Sequence, residues 1–249
     1  FAFRGNHSYT EEIIVEMCRK EFSLDGIVTD KINFTPRPYQ KDFIQKASKE
    51  YADFLLWAKC RAGKSAMVLS HIVDRNFKVS LVVSRSKSPE QSWKEDSKRF
   101  VEFDHIKYIC LSDKGWEEQL EFWSQVEGTQ VVLWSTIQGL IRKVESLSQV
   151  DFLCYDECHI GYFGKQWNNI RDLLSEVPCM YASGTAFKQA PEFTKDNTFI
   201  YSYFDEQLDV KRGIFHRGKL NVVLTKYESD EYRKIYGDSP DAMKNTFAI

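Results

Sequence analysis

The residues best suited to chemistry form two short segments, a glycine–lysine–serine run and an acidic pair. Gly63, Lys64 and Ser65 follow an apolar run and open a stretch with helical periodicity. Such a loop presents backbone N–H groups to a phosphate at a helix N-terminus, where anions are favoured. Asp156 and Glu157 close a second apolar run. Together the two segments predict a site for a magnesium-bound nucleotide, with ATP and Mg²⁺ as the cofactors.

Each of these side chains has a distinct expected role. Lys64 would reach the β- and γ-phosphates, and the hydroxyl of Ser65 would bind magnesium. Asp156 would hold the same metal, directly or through water, and Glu157 would polarise the attacking water. A chance Gly-Lys-Ser loop and an ordinary surface Asp-Glu pair are the alternatives when each segment is taken alone.

The phosphate loop departs from the usual pattern at Ala58 and Arg61, where glycine is more common. Two interpretations of Arg61 stay open. It adopts a backbone conformation that glycine usually takes, at a cost of ~1–3 kcal/mol, or its guanidinium adds a phosphate contact. The loop is the turn at residues 59–63 between the apolar run and the helix, and we expect nucleotide contacts from Arg61, Ala62, Gly63, Lys64, Ser65 and Ala66.

The segments that must position this site alternate between short apolar runs and amphipathic stretches. The apolar runs predict strands at 54–58, 79–83, 107–111, 130–134, 150–155 and 179–182. The amphipathic stretches predict helices at 41–51, 64–74, 88–100, 116–126, 137–146 and 166–174. Strands that are apolar on both faces and alternate with helices predict an α/β fold, a parallel sheet with helices on both faces.

The ends of the chain have a less regular pattern. Residues 9–22 predict a further helix, and the break at 33–38 marks a boundary. Strands are expected at 199–204 and 220–224, followed by a helix-like stretch at 228–236. A basic run, with Lys211, Arg212, His216, Arg217 and Lys219, fits either a phosphate contact or a solvated loop.

Composition indicates an ordinary globular protein. The 249 residues are 43% hydrophobic and 28% charged, with a net charge of −2, so the totals show no basic surface. The six cysteines contain no CxxC pair, and we expect them to be reduced and buried in an intracellular, cytoplasmic protein. A metal pair of Cys154 and Cys158 with His159 is a weaker alternative. No apolar run reaches the ~20 residues needed to span a membrane, so no membrane partner is expected.

Several segments resemble motifs of superfamily-two helicases and translocases over residues 36–190. Asp156-Glu157-Cys158-His159 is similar to their DExH box, and Ser183-Gly184-Thr185 to their motif III. Arg37-Pro38-Tyr39-Gln40 resembles their adenine-reading motif. Ser84-Arg85-Ser86 and Ser135-Thr136 stand where segments that contact nucleic acid would lie. The combination looks closest to restriction-type and phage-encoded DNA translocases, so a bacterial or phage source is expected.

The resemblance implies a RecA-like P-loop domain and a role for each motif. Gln40 and Arg37 would contact the nucleotide, with Gln40 reading the base. His159 would couple the nucleotide to Ser183, Gly184 and Thr185. The surface expected to contact nucleic acid or to transmit that coupling comprises Ser84, Arg85, Ser135, Thr136, Ser183, Gly184 and Thr185. DNA is favoured as the partner, with RNA not excluded. The six tryptophans favour core packing over base stacking.

In the family that the motifs resemble, ATP binds between two RecA-like lobes, and the second lobe brings an arginine finger. We expect an accessory segment at 1–35, the ATP-binding lobe at 36–205 and the start of a second lobe at 206–249. The chain is thus expected to be part of a larger polypeptide, and on its own to bind nucleotide weakly and to hydrolyse ATP poorly.

Two other functions stay open. A P-loop ATPase or kinase of another class would act on a protein or small molecule, but it would need neither Gln40 nor Ser183-Gly184-Thr185. A non-catalytic binding module would keep the fold without turnover. The presence of Lys64, Ser65, Asp156 and Glu157 speaks against this module.

Overall fold

A computed structural model of the chain describes residues 31–49, 51–144, 147, 149–160 and 164–214. The expected elements at 9–22, 220–224 and 228–236, with Cys18, His216, Arg217 and Lys219, lie outside the described residues. Contacts divide the chain into two units, Phe1–Glu206 and Gln207–Ile249. The description of the second unit covers residues 207–214, which finish one helix.

Seven strands of the described chain form one parallel sheet, in the order β3-β4-β2-β5-β6-β1-β7. The strands are β1 Asp53–Ala58, β2 Val79–Ser84, β3 Ile106–Cys110, β4 Gln130–Thr136, β5 Phe152–Asp156, β6 Cys179–Ser183 and β7 Thr198–Tyr201. Because all strands run the same way, their carboxyl ends meet at one edge. The predicted α/β fold is confirmed.

Helices cover both faces of this sheet. They are α1 Pro38–Ala47, α2 Lys64–Asp74, α3 Glu90–Arg99, α4 Trp116–Gln125, α5 Ile137–Leu140, α6 Lys165–Leu173 and α7 Tyr203–Lys211, with 3₁₀ turns at Val101–Phe103 and Ala190–Glu192. Apolar residues of α1, α2 and α3 share one buried cluster with Val82. Those of α4, α5 and α6 share another with Leu81 and Val83. Successive residues of β2 therefore face opposite layers, as a pleated strand requires.

Most predicted elements end within two residues of the observed ends, and three differ by more than that. The first helix begins at Pro38, whose fixed φ suits the first helical turn, and ends at Ala47. The helix expected at 137–146 is a four-residue helix capped by Thr136, whose Oγ1 accepts the N–H of Gly139. The strand expected at 199–204 ends at Tyr201.

The last difference has a local cause in the side chains that follow β7. The Ser202 hydroxyl accepts the N–H of Asp205, and the Asp205 carboxylate accepts the N–H of Ser202. This reciprocal pair is a helix N-terminal capping arrangement. It starts α7 at Tyr203, although the aromatic residues there have strand propensity. Within the described part of the chain, no helix is long and apolar enough to cross a bilayer.

Candidate nucleotide site

The phosphate loop, the acidic pair and the start of α3 meet at the carboxyl edge of the sheet. They enclose a cavity of about 410 Å³. The Nζ of Lys64 lies 3.9 Å from Oε1 of Glu157. Residues from four segments line the cavity: Arg61, Gly63, Lys64, Ser65, Ser84, Arg85, Ser86, Ser88, Pro89, Ser92, Trp93, Asp96, Asp156, Glu157 and Ile160.

The phosphate loop is fixed by positive backbone angles and by α1. Arg61 has φ 62° and Gly63 has φ 77°, both in the left-handed region. Arg61 therefore takes the glycine-like conformation that the sequence left open, and it also lines the cavity. The carbonyl of Ala62 accepts hydrogen bonds from Tyr39 Oη at 2.9 Å and Gln40 Nε2 at 3.2 Å. A side chain at Gly63 would place its Cβ 3.0 Å from Gln40 Nε2, so close packing here favours glycine.

The sequence predicted a base contact for Gln40, whereas in the structure its side chain bonds to the phosphate loop. Its Oε1 accepts the backbone N–H of Arg37 at 2.9 Å, and the residue is 6% exposed. Both ends of the amide are thus bonded within the protein. The Arg37 side chain is exposed. Base reading by Gln40 and nucleotide contact by Arg37 and Ala66 stay predictions.

Asp156 is buried at the end of β5 and accepts two hydrogen bonds. Trp93 Nε1 donates to Oδ2 at 2.7 Å, and the N–H of Glu157 donates to Oδ1 at 2.9 Å. Burial raises the pKa of the Asp156 carboxyl, while the Trp93 hydrogen bond and Lys64 oppose that rise. On the other side of the cavity, the Ser65 hydroxyl donates to the carboxylate of Asp96. Burial raises the pKa of Asp96 as well.

Sequence reasoning missed Asp96 and assigned Trp93 to the core alone. Trp93 does lie in the core, since it is 1% exposed. The spacing of the two residues in the sequence places them on one side of α3, but it does not indicate that this side faces the phosphate loop.

Glu157 occupies a left-handed backbone conformation with φ 52°, which is uncommon for a residue with a side chain. The next N–H, from Cys158, donates to the carbonyl of Ala182 at 3.0 Å and so joins this turn to β6. The Glu157 side chain is 34% exposed and faces the cavity. Backbone strain at such a position is typical of functional sites.

His159 connects the acidic pair to Ser183. Its Nδ1 lies 3.2 Å from Oε2 of Glu157 and 2.9 Å from Oγ of Ser183. Ser183 Oγ also accepts the N–H of Thr185 at 3.0 Å. A polar path therefore runs from Lys64 to Thr185, which is the arrangement that the coupling hypothesis for His159 requires.

Gly184 packs against the phosphate loop. Its carbonyl accepts the indole N–H of Trp57 at 3.3 Å. A Cβ at this position would lie 3.2 Å from Cys60 Sγ and 3.6 Å from the Cys60 nitrogen. The Ser-Gly-Thr segment thus contacts both the acidic turn, through Ser183, and the phosphate loop, through Gly184.

The residues expected to contact nucleic acid divide by exposure. Ser84, Ser135 and Ser183 are buried, and the roles expected of them in nucleic-acid contact or coupling stay predictions. The Ser135 hydroxyl donates to the Thr136 carbonyl at 3.0 Å. Arg85 and Thr185 are exposed and Thr136 is partly exposed, so these three can reach a ligand.

The cysteines do not form a metal site in the described part of the chain, where no three His, Cys, Asp or Glu side chains cluster as metal ligands. Burial raises the pKa of the Cys154 and Cys158 thiols, which disfavours the thiolates that metals bind. Cys60 is exposed in the phosphate loop, which corrects the expectation that all cysteines are buried. Magnesium needs one or two carboxylates with water, so Ser65 and Asp156 fit it.

A family model described as the type III restriction enzyme, res subunit, matches residues 33–188, which is more than half of the chain. The chain belongs to this family. The resemblance to superfamily-two helicases, in their restriction-type branch, is thereby confirmed. The matched residues run from the segment before α1 to the segment after Thr185, so they include every motif of the site.

Similar solved structures have low sequence identity to this chain. The UvsW helicase from bacteriophage T4 is 20% identical, with TM-score 0.49 over 72% of this chain and 61% of that one. A second T4 UvsW structure is 19% identical, with TM-score 0.49 over 72% of this chain and 35% of the other. The Sulfolobus solfataricus SWI2/SNF2 ATPase core in complex with dsDNA is 18% identical, with TM-score 0.49 over 74% and 41%. The chain thus spans less than two thirds of each. No curated protein matches this sequence significantly.

Proposed function

We propose that this chain is the first ATP-binding lobe of a nucleic-acid motor, a helicase or translocase that acts on DNA. The observation that carries the proposal is the polar path from Lys64 through Glu157 and His159 to Ser183 and Thr185. A kinase or an unrelated ATPase would need the phosphate loop and the acidic pair, but not the histidine–serine connection. Membership of the restriction family supports DNA as the partner.

The residues present fit a magnesium–ATP complex. Ser65 and Asp156 offer oxygen ligands at one cavity, and Lys64 offers a cation beside them. The nucleotide would supply the phosphoanhydride bond whose cleavage releases the free energy. Lys64 would neutralise phosphate charge, and the N–H groups that begin α2 would face the same anion.

Glu157 is the proposed general base. It is part-exposed, lines the cavity, and lies 3.9 Å from the ammonium of Lys64. Its carboxylate would accept the proton of the attacking water. His159 lies within reach of the same carboxylate. It would transmit a change at Glu157 to Ser183 and, through Ser183, to Thr185.

A second cavity of about 300 Å³ adjoins Arg85 at the carboxyl edge. Gln138 and Lys165 also line it. Amide and cationic side chains of this kind bind phosphate oxygens of a nucleic-acid backbone. We propose that Arg85 contacts a nucleic-acid strand at this cavity, and that the exposed Thr185 and partly exposed Thr136 contact nucleic acid outside it. We also propose that a second motor lobe in the full polypeptide completes the ATP site.

Substitution Glu157→Gln tests the catalytic assignment. We expect ATP binding to persist and hydrolysis to fall by about 100-fold or more, because the amide cannot accept the water proton. Single-turnover hydrolysis of radiolabelled ATP at excess protein measures even a slow reaction. Unchanged hydrolysis in the variant would show that Glu157 is not the base.

Substitution Arg85→Ala tests the DNA contact. We expect weaker binding of a fluorescent oligonucleotide, and a salt dependence of log K that is shallower by about one, because one phosphate contact is lost. Arg99→Ala removes an exposed arginine at the last residue of α3, outside both cavities, and is the matched control. Equal affinities and salt slopes for the two variants would exclude Arg85 from the interface.

A further inference from the structure

One face of α3 contacts both residues that we expect to bind magnesium. Trp93 donates its indole N–H to Asp156, with a nitrogen–oxygen distance of 2.7 Å. Asp96, three residues later, accepts the hydroxyl hydrogen of Ser65. Residues at this spacing lie on the same side of a helix, so a single element holds both contacts.

The hydrogen bonds made by Ser65 and Asp156 determine which of their lone pairs remain for a metal. Because the Ser65 hydroxyl gives its hydrogen to Asp96, the lone pairs of its oxygen stay available. If the hydroxyl donated to another acceptor, the lone pairs of its oxygen would point in a different direction. The Trp93 and Glu157 N–H groups each occupy one site on the Asp156 carboxylate and fix its plane, and each oxygen keeps a further lone pair.

We propose that Trp93 and Asp96 are positioning residues for the magnesium site, acting through Asp156 and Ser65 respectively. This inference rests on the proposed function and deepens it. Hydrogen-bond partners of metal ligands orient those ligands, and their loss typically lowers metal affinity by about 10–100-fold. Asp96 is part-exposed and is not a core residue, so a role in packing does not account for its position.

The test compares the affinity of a fluorescent ATP analogue in excess Mg²⁺ with its affinity in EDTA. The ratio of the two affinities measures the contribution of the metal and is independent of hydrolysis. We expect Asp96→Asn and Trp93→Phe each to reduce this ratio by about 10-fold while leaving the affinity in EDTA nearly unchanged. A purely structural role would lower stability or both affinities together.

Each variant has a matched control in the same chain. Glu95→Gln makes the same charge change at an exposed neighbour on α3, which bonds Gln91. Trp134→Phe removes a buried indole whose N–H has no hydrogen-bond partner among the described residues. Both controls should keep the wild-type ratio. Thermal unfolding checks that every variant is folded, and Asp96→Asn alone suffices if Trp93→Phe does not fold.

Two results overturn the proposal in different ways. If wild type shows a clear magnesium effect and Asp96→Asn matches Glu95→Gln, or binds better with the metal, the positioning role is wrong and the proposed function stands. If wild type binds the analogue equally with and without Mg²⁺, the proposed nucleotide function fails, and the positioning role fails with it.

Discussion

His71 is a titratable residue in the core that the nucleotide site does not use. It lies on α2 among aromatic rings, with centroids 5.7 Å from Phe77 and 5.4 Å from Phe152. Its Nε2 is 2.5 Å from Tyr51 Oη, and its Nδ1 has no hydrogen-bond partner among the described residues. Burial, with a smaller effect of Arg75, lowers the pKa of His71 from 6.5 to about 3.

The lowered pKa of His71 predicts a loss of stability in mild acid. Below pH 6.5 the unfolded chain binds a proton that the folded chain excludes, so the free energy of unfolding falls as pH falls, until about pH 3. The expected slope from this group is about 1.4 kcal/mol per pH unit. Urea unfolding at pH 7.5, 6.5 and 5.5 measures the slope, and His71→Gln should flatten it. Parallel pH profiles for the two proteins would contradict this account.

At the scale of residues, the sequence predicts the local chemistry but not the contacts made across the fold. The types and spacing of Lys64, Ser65 and Glu157 were enough to place them at one site, because phosphate loops have a strong local signature. The left-handed φ of Glu157 and the bond from Ser65 to Asp96 depend on how β5 and α3 pack. Sequence patterns carry no direct signal for such packing.

At the scale of elements, a buried ion pair ties the phosphate loop to α7. Lys59 Nζ lies 2.8 Å from Glu206 Oε1, and both side chains are 7% exposed. The ammonium also donates to the Cys60 carbonyl at 3.1 Å and lies 5.1 Å from the ring centre of Tyr203. The Lys59 N–H donates to Tyr201 at the end of β7. The start of α7 therefore supports the loop that we propose to bind the nucleotide.

Substitution Glu206→Gln should destabilise the fold strongly, because it leaves the Lys59 ammonium buried without its counter-charge. Removing one partner of a buried pair costs about 3 kcal/mol or more in the free energy of unfolding. The control is Asp104→Asn, which breaks the exposed pair with Lys31 and should cost less than about 1 kcal/mol. Urea unfolding compares the two variants. Equal losses in the free energy of unfolding would show that the buried pair contributes no more to stability than the exposed pair.

The order of elements was predictable because the apolar runs of β1 to β6 are unbroken and bounded by clear helix signals. The prediction of a strand to residue 204 was wrong, because a helix-capping pair outweighed the strand propensity of these residues. Residues 199–204 are nearly all apolar or aromatic, yet Ser202 and Asp205 bond reciprocally and begin a helix. The sequence contains the Ser-x-x-Asp spacing, which is the signal that could have marked this boundary.

At the scale of the whole molecule, the sheet brings separate motifs to one edge. The ends of β2, β5, β6 and β1 lie side by side, and their register pairs Ser84 with Asp156 and Trp57 with Ser183. The residues that we propose to bind nucleotide, to couple the sites and to contact nucleic acid thus share an edge because the strands are parallel. The domain limits 1–35, 36–205 and 206–249, and the completion of the site by a second lobe, stay predictions.

The central claim is that Lys64, Ser65, Asp156 and Glu157 form one magnesium–ATP site, and calorimetric titration with a slowly hydrolysed ATP analogue in Mg²⁺ tests it most directly. We predict saturable binding to the wild-type chain and a loss of at least about tenfold in affinity for Lys64→Ala, since one direct cation–phosphate contact is removed. Lys114→Ala, at an exposed lysine outside the cavity, should bind like wild type. Equal affinity of Lys64→Ala and Lys114→Ala, or no binding to wild type, would contradict the account.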